Sequence, residues 1–410
     1  MKLLSALLAL ILTLAPCAVA ERTREEVRDA WRKIEAADAA PYAQAPAVSA
    51  PYASGELTAA ALDNALASLN FIRWLAGLEP VRGSEIYNYQ CQHAAVLLAA
   101  LDYVDHNAPR PADMDGNFFD SAHIGTTSGN IARFNWMRDS ILREGVEYFA
   151  RDDGDQNLPM LGHRRWLLNP AMSATGFGLA NAASGMSYVV MYAHDLGRPD
   201  ARWESVCWPS EGLFPAELMH RHLAWSVSLN PEVYDLAASD PVVTLREPSL
   251  GLAFRFRPAS GEGDGYCCIN MEGYGSGGCV IFRPDFEGTG FTDYLQNQHW
   301  QVRIEGLRRA DGGEASQEYG VDMISLYVQD PANIEITPLE AHLRPGETAK
   351  LNAFVIPNYA DDLSVTWTSS DPAVAEVDGE GVVTAMAAGS CRITCADALG
   401  HTDACTLTVE

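Results

Sequence analysis

The chain has 410 residues, of which 48% are hydrophobic and 20% charged. This is globular material with room for two to four domains, which excludes disordered, fibrous and small disulfide-scaffold proteins. Its 28 Lys and Arg against 54 Asp and Glu give a net charge of −26, and a chain so acidic repels phosphate backbones, which excludes nucleic acid and anionic membrane surfaces as partners.

Residues 1–20, MKLLSALLALILTLAPCAVA, join Lys2 to an apolar run and an A-V-A ending, the pattern of a secretory signal peptide. No later stretch reaches the roughly 18 apolar residues of a membrane-spanning helix. A secreted or cell-surface protein with an extracellular ligand is expected. Beyond Cys17 there are eight cysteines: Cys91, Cys207, Cys267, Cys268, Cys279, Cys391, Cys395 and Cys405. An even number outside the cytosol favours disulfides. A hairpin centred near Ala398 would set Cys391 opposite Cys405, and Cys279 would face Cys267 or Cys268 across GYGSGG.

Residues 21–55 read as a charged leader helix followed by an Ala/Pro-rich linker. Leu62, Leu66, Leu69, Ile72 and Leu75 recur at helical steps. A second helix is expected from Glu85 to Val104, and a third around 130–149 with Ile131, Phe134, Ile141 and Val146. SYVVMYAH at 187–194 reads as a buried strand, which makes residues 56–198 a helix-and-sheet domain. From 199 the period becomes two, in LAWSVSL, PVVTL, LAFRFR, YCCIN, CVIFRP, WQVRIEGL and MISLYV. That predicts an all-β middle domain over 199–330, with GYGSGG as a hairpin turn. Residues 331–410 keep the alternation and predict a β-sandwich, with Trp367 in its core and a turn at 346–348.

The chain contains no H-E-x-x-H, no G-x-S-x-G and no Walker lysine. DMDGNFFD, with Asp113, Asp115, Asn117 and Asp120, departs from a calcium loop in its Gly and Glu positions and reads as a solvated loop. The acidic run DDGDQN at 152–157 reads the same way. His93 lies in an apolar stripe and reads as a core residue, whereas His106 ends a helix and His163 follows the acidic run.

Four segments fall in a telling order: YVDHN around His106, SGNIA at 128–132, Trp136 to Asp139, and GHRRWLLNPAMSATGFG at 162–178. Together they resemble the CAP superfamily, in its secreted bacterial SCP-like branch, over roughly 56–195. The resemblance implies an α-β-α sandwich whose cleft gathers two histidines and two acidic residues, the histidines holding a divalent metal in some members. Carried over, these are His106, His163 and Asp139, with Asn130 beside them. The fourth position departs from the pattern: Gly129 stands where the family has Glu, which removes an acceptor for an imidazole. A zinc or other divalent cofactor held by His106 and His163 is what the family implies. The tail, over 334–410, resembles the group 2 bacterial immunoglobulin-like domain, which implies a β-sandwich serving as spacer or adhesive module.

The fold class expected is thus α+β: a CAP-type α-β-α sandwich, an all-β middle region and a C-terminal immunoglobulin-like β-sandwich. The function expected is a binding protein whose cleft holds a ligand, with no residue assigned as catalytic. The alternative is a metal-dependent hydrolase or peptidase acting through His106, His163 and Asp139. Restoring the lost carboxylate by Gly129→Glu is expected to strengthen metal binding.

Overall fold

A computed structural model describes residues 22–410; the expected signal peptide and Cys17 lie outside the described residues. The leader helix α1, Arg24–Glu35, starts at a capping box between Thr23 and Glu26 and buries Val27, Trp31 and Ile34. Trp31 meets Phe71 of α2, Ala59–Leu75, with ring centroids 5.4 Å apart. The segment after α1 is not a free linker: Tyr42 Oη donates to Asn181 Oδ1 at 2.6 Å, and Gln92 Nε2 donates to the Ser54 carbonyl at 2.8 Å. Its aromatic and backbone groups find partners on the folded body, which fastens a Pro-rich stretch that composition alone marks as flexible.

Helix α3, Glu85–Leu101, is buried continuously from Cys91 to Ala99. Helix α4, Gly116–Thr127, occupies part of the expected acidic loop: Asp115 is its N-cap and accepts from the amides of Asn117 and Phe118, so this carboxylate closes a helix end. The helix expected around 130–149 is in fact two elements. Gly129–Phe134 is a strand, and only Ile141–Arg151 is helical, as α5. Ile131 and Phe134 are buried because they lie in a sheet, and the short apolar run allowed either reading.

That strand, Ser187–Tyr192 and Phe177–Asn181 form an antiparallel three-stranded sheet with Ser187–Tyr192 central. Tyr188 and Val190 join the α3 core, while Val189, on the opposite face, lies against Gly145 of α5. Helices therefore cover both faces of the sheet. Helix α6, Gly162–Leu167, follows the acidic run.

The β-rich region adds a four-stranded sheet in the order Gly265–Asn270, Gly278–Pro284, Trp225–Leu229, Ser205–Trp208. In a second sheet, His299–Arg308 pairs with Val242–Glu247 and with Glu314–Ile324. Trp225 meets Trp300 at 6.0 Å between ring centroids. The run MISLYV is not a strand of its own; the strand ends at Ile324.

Residues 22–214, Leu218–Asp293 and His299–Asp322 make one compact unit, which holds residues 56–198 together with most of the β-rich region. Arg164 and Arg165 explain it. Fully buried Arg164 donates to the carbonyls of Ala150, Arg151 and Ala224. Arg165 donates to Asn270 Oδ1 and to the carbonyls of Glu272 and Gly277. Each guanidinium spreads its donors over oxygens of both regions.

The second unit comprises Pro215–Glu217, Tyr294–Gln298 and Met323–Glu410. Within it, Glu217 accepts from Ser325 Oγ at 2.6 Å and from the Leu326 amide at 3.1 Å. Its core gathers Ile334, Leu351, Val383, Ile393, Cys395, Cys405 and Leu407, with Trp367 partly buried at the margin. The hairpin of Gly389–Asp397 and Thr402–Val409 sets Cys391 opposite Leu407 and Cys405 opposite Ile393. Likewise Cys279 pairs with Asn270, and Cys268 with Ile281. All eight described cysteines are free thiols. The expected bridges fail because each hairpin is centred one residue away from the assumed point, which turns opposed pairs into diagonal ones.

Candidate cleft site around His106 and His163

His106 lies in the turn after α3 and its Nδ1 is 2.8 Å from the Thr126 carbonyl. A carbonyl only accepts, so Nδ1 carries the proton and Nε2 is the lone-pair nitrogen of the neutral ring. His163, in the first turn of α6, places Nδ1 3.0 Å from Asp152 Oδ1. Asn130, buried in the strand Gly129–Phe134, donates through Nδ2 to the His163 carbonyl at 2.9 Å. The sheet thereby holds the start of the helix that carries the imidazole.

Asp139 is exposed in the turn before α5, whereas Asp152 caps the other end of that helix, about 16 Å away over eleven residues at 1.5 Å each. The donors around Trp136 instead find Glu144, which accepts from Trp136 Nε1 at 2.8 Å and from Ser140 Oγ at 2.6 Å. At Gly129, a Cβ would stand 2.6 Å from the Gly125 carbonyl oxygen and 3.0 Å from Val190 Cγ1. A Glu side chain has no room at this position unless the backbone around it shifts.

Three groups escaped the sequence reading. Asp152 lies in the acidic run read as solvated, yet its side chain is 0% exposed. Trp166, one turn after His163, has its ring centroid 4.0 Å from that of His194. Burial lowers the His194 ring below the usual histidine value, and repulsion from a charged His106 would lower it further. His194 carried no motif; only its place at the end of a strand beside the Ser128 carbonyl, which its amide reaches at 3.2 Å, brings it in. His93 is 5% exposed, with Nδ1 2.7 Å from the Tyr89 carbonyl, and burial lowers its basicity.

A hairpin turn of the β-rich region borders the site. Tyr274 Oη is 2.9 Å from Met160 Sδ, and the Arg165 guanidinium lies 5.2 Å from the Tyr274 ring centroid. Burial raises the Tyr274 hydroxyl above its usual range, and the hydrogen bond with Glu272 adds to this. Among the described residues, no group of three or more His, Cys, Asp or Glu converges as a metal-ligand set. The donor set therefore falls short of the three protein ligands typical of catalytic zinc.

A family model for the bacterial immunoglobulin-like domain (group 2) matches residues 331–408. The chain is 51% identical over 55 residues to a 3-O-alpha-D-galactosyl-alpha-L-arabinofuranosidase of Bifidobacterium longum subsp. longum, covering 13% of this chain and 5% of that protein. It is 46% identical over 67 residues to a lacto-N-biosidase of Bifidobacterium bifidum, covering 16% of this chain and 6% of that protein. The chain thus spans a small fraction of these curated relatives. Among solved structures, the N-terminal part of the bacterial S-layer protein SbsC aligns at 13% identity over 46% of this chain and 41% of that chain, with a TM-score of 0.19, too low to imply a shared fold. Among the described residues no helix is long and apolar enough to cross a membrane.

Proposed function

We propose that this is a secreted or surface-associated binding protein of CAP type, whose cleft around His106, His163, His194 and Trp166 takes a ligand while the immunoglobulin-like tail acts as spacer or adhesive module. The observation that carries this reading is the composition of the cleft. It offers imidazoles and an aromatic ring, yet Asp139 stands at the far end of α5 and Gly129 leaves no space for a carboxylate. The metal-dependent hydrolase reading needs a carboxylate free to bind metal or move a proton, and the carboxylate at this site, Asp152, is buried and engaged by His163, Asn157 and the Arg164 amide.

Ligand-observed and histidine-ring NMR against a library of small polar and aromatic compounds tests the reading. Hits should perturb His106 and His194 and be lost in a His106→Ala/His163→Ala variant. Turnover of peptide or ester substrates by zinc-supplemented protein, abolished in that double variant, would replace the binding reading with the hydrolase.

A further inference from the structure

We propose that Asp152 is the positioning residue of the cleft: it holds His163 as the Nδ1–H tautomer, so that Nε2 carries the lone pair, as it does in His106. The inference concerns the same cleft as the binding reading, and it gives a role to a carboxylate from the acidic run.

Asp152 ends α5 in the left-handed region at φ 50°, a conformation that Asp tolerates better than most residues. Its amide closes the helix on the Tyr148 carbonyl at 2.9 Å, and its carboxylate points inward. Oδ1 lies 3.0 Å from His163 Nδ1 and accepts from Asn157 Nδ2 at 3.0 Å, while Oδ2 accepts from the Arg164 amide at 3.2 Å. A carboxylate flanked by a backbone amide and a side-chain amide is an acceptor on both oxygens, so the imidazole nitrogen facing it must donate. Asn157 Nδ2 also stands 3.3 Å from His163 Nδ1; this longer contact would be a hydrogen bond only for the other tautomer, and Nδ1 is assigned to the nearer, charged acceptor Asp152 Oδ1. The buried negative charge has a compensating cation in fully buried Arg164, the next residue in α6. The second imidazole is thereby fixed by a carboxylate eleven residues upstream, a device that orients histidines in many sites.

The amide variant reverses the tautomer. In Asp152→Asn the oxygen faces the Arg164 amide, a backbone donor that cannot turn, so the NH2 group takes the other side; there Asn157 flips its side-chain amide to accept one proton and His163 Nδ1 accepts the other, which leaves the ring proton on Nε2. The tautomer is read at pH 8 from ring 15N and 13C shifts of the full chain without ligand, with His163→Gln to assign the signals. Wild type is expected to show Nδ1–H, and Asp152→Asn to lose that population in favour of Nε2–H with helix content retained. Wild-type His163 as Nε2–H, or an unchanged tautomer in the variant, overturns the proposal. Should the variant not fold, a slowly exchanging, hydrogen-bonded Nδ1 proton on wild-type His163 supports it, and the absence of that proton overturns it. Since no ligand enters the measurement, a cleft that binds nothing would sink the binding reading and leave this one standing.

Discussion

Gly275 sits against Trp166: a Cβ on Gly275 would lie 2.9 Å from Trp166 Cε3 and 3.0 Å from the Arg165 carbonyl oxygen. The residue also has φ +75°, a region costly for side chains with a Cβ. Two independent constraints thus demand glycine where the hairpin turn meets the helix carrying His163. Gly275→Ala is expected to destabilise the chain by about 1–3 kcal/mol through overpacking and strain and to shift the His194 ring signals through Trp166. Urea unfolding with histidine NMR checks both, and unchanged stability would refute the close approach.

Gly129→Ala should cost stability on the scale of overpacking, about 1–3 kcal/mol, and Gly129→Glu more, because the first atom added already meets backbone. Denaturant midpoints for the two variants decide it. A Gly129→Glu protein as stable as wild type would mean that the strand stands further from α4 than described.

Arg164→Leu removes the donors for three buried carbonyls and the cation near Asp152. The expected loss is about 3–5 kcal/mol, the scale for breaking a buried charge arrangement. Since Arg164 and Arg165 join residues 56–198 to the β-rich region, a fragment ending at 198 is expected to be poorly folded by circular dichroism and amide exchange. A cooperative melt of that fragment alone would show that the two regions are independent.

The sandwich has an acid-sensitive turn. Burial by itself would raise the Asp397 carboxyl, but hydrogen bonds from the His401 ring and amide and from the Leu399 amide outweigh it and hold it below the ordinary carboxylate range. A folded value below the unfolded one stabilises fully above the unfolded value, near 3.9, and that contribution vanishes as pH falls through the folded value. Asp397→Asn should therefore flatten the loss of stability below about pH 4. Thermal melts of the full chain between neutral and acid pH measure it; identical acid profiles would remove Asp397 from the account.

For the cysteines, cross-strand diagonal neighbours stand about 7–8 Å apart, beyond the roughly 4.4–6.8 Å between Cα atoms that a disulfide spans. Cys391 and Cys405 should both alkylate when the protein is unfolded without reductant, as peptide mass spectrometry would show. A Cys391–Cys405 cross-linked peptide would require a different register.

By itself the sequence determined the elements whose periodicity is long or repeated. Helix α2, the strand Leu252–Arg257 and the alternation over the immunoglobulin-like tail were legible because apolar residues recur at a constant step, and α3 and the strand Gly278–Pro284 because each carries a continuous apolar run of a length that suits its element. His106 and His163 were legible as a pair because they stand in short patterned segments. Tertiary structure alone decided what depended on distant partners. Ile131 belongs to a strand because Val190 pairs with it, which the short stretch Ile-Ala-Arg-Phe does not encode. Asp152 and Asp139 are both acidic residues flanking α5, and the family pattern marks only Asp139; the packing of α6 against the end of α5 is what brings the Asp152 carboxylate to an imidazole. Hairpin register, set by a turn centre one residue from where it was placed, separated the cysteines. Local chemistry chooses helix or strand, but which polar groups meet is fixed by how those elements close on one another, since each buried donor must find its acceptor in space.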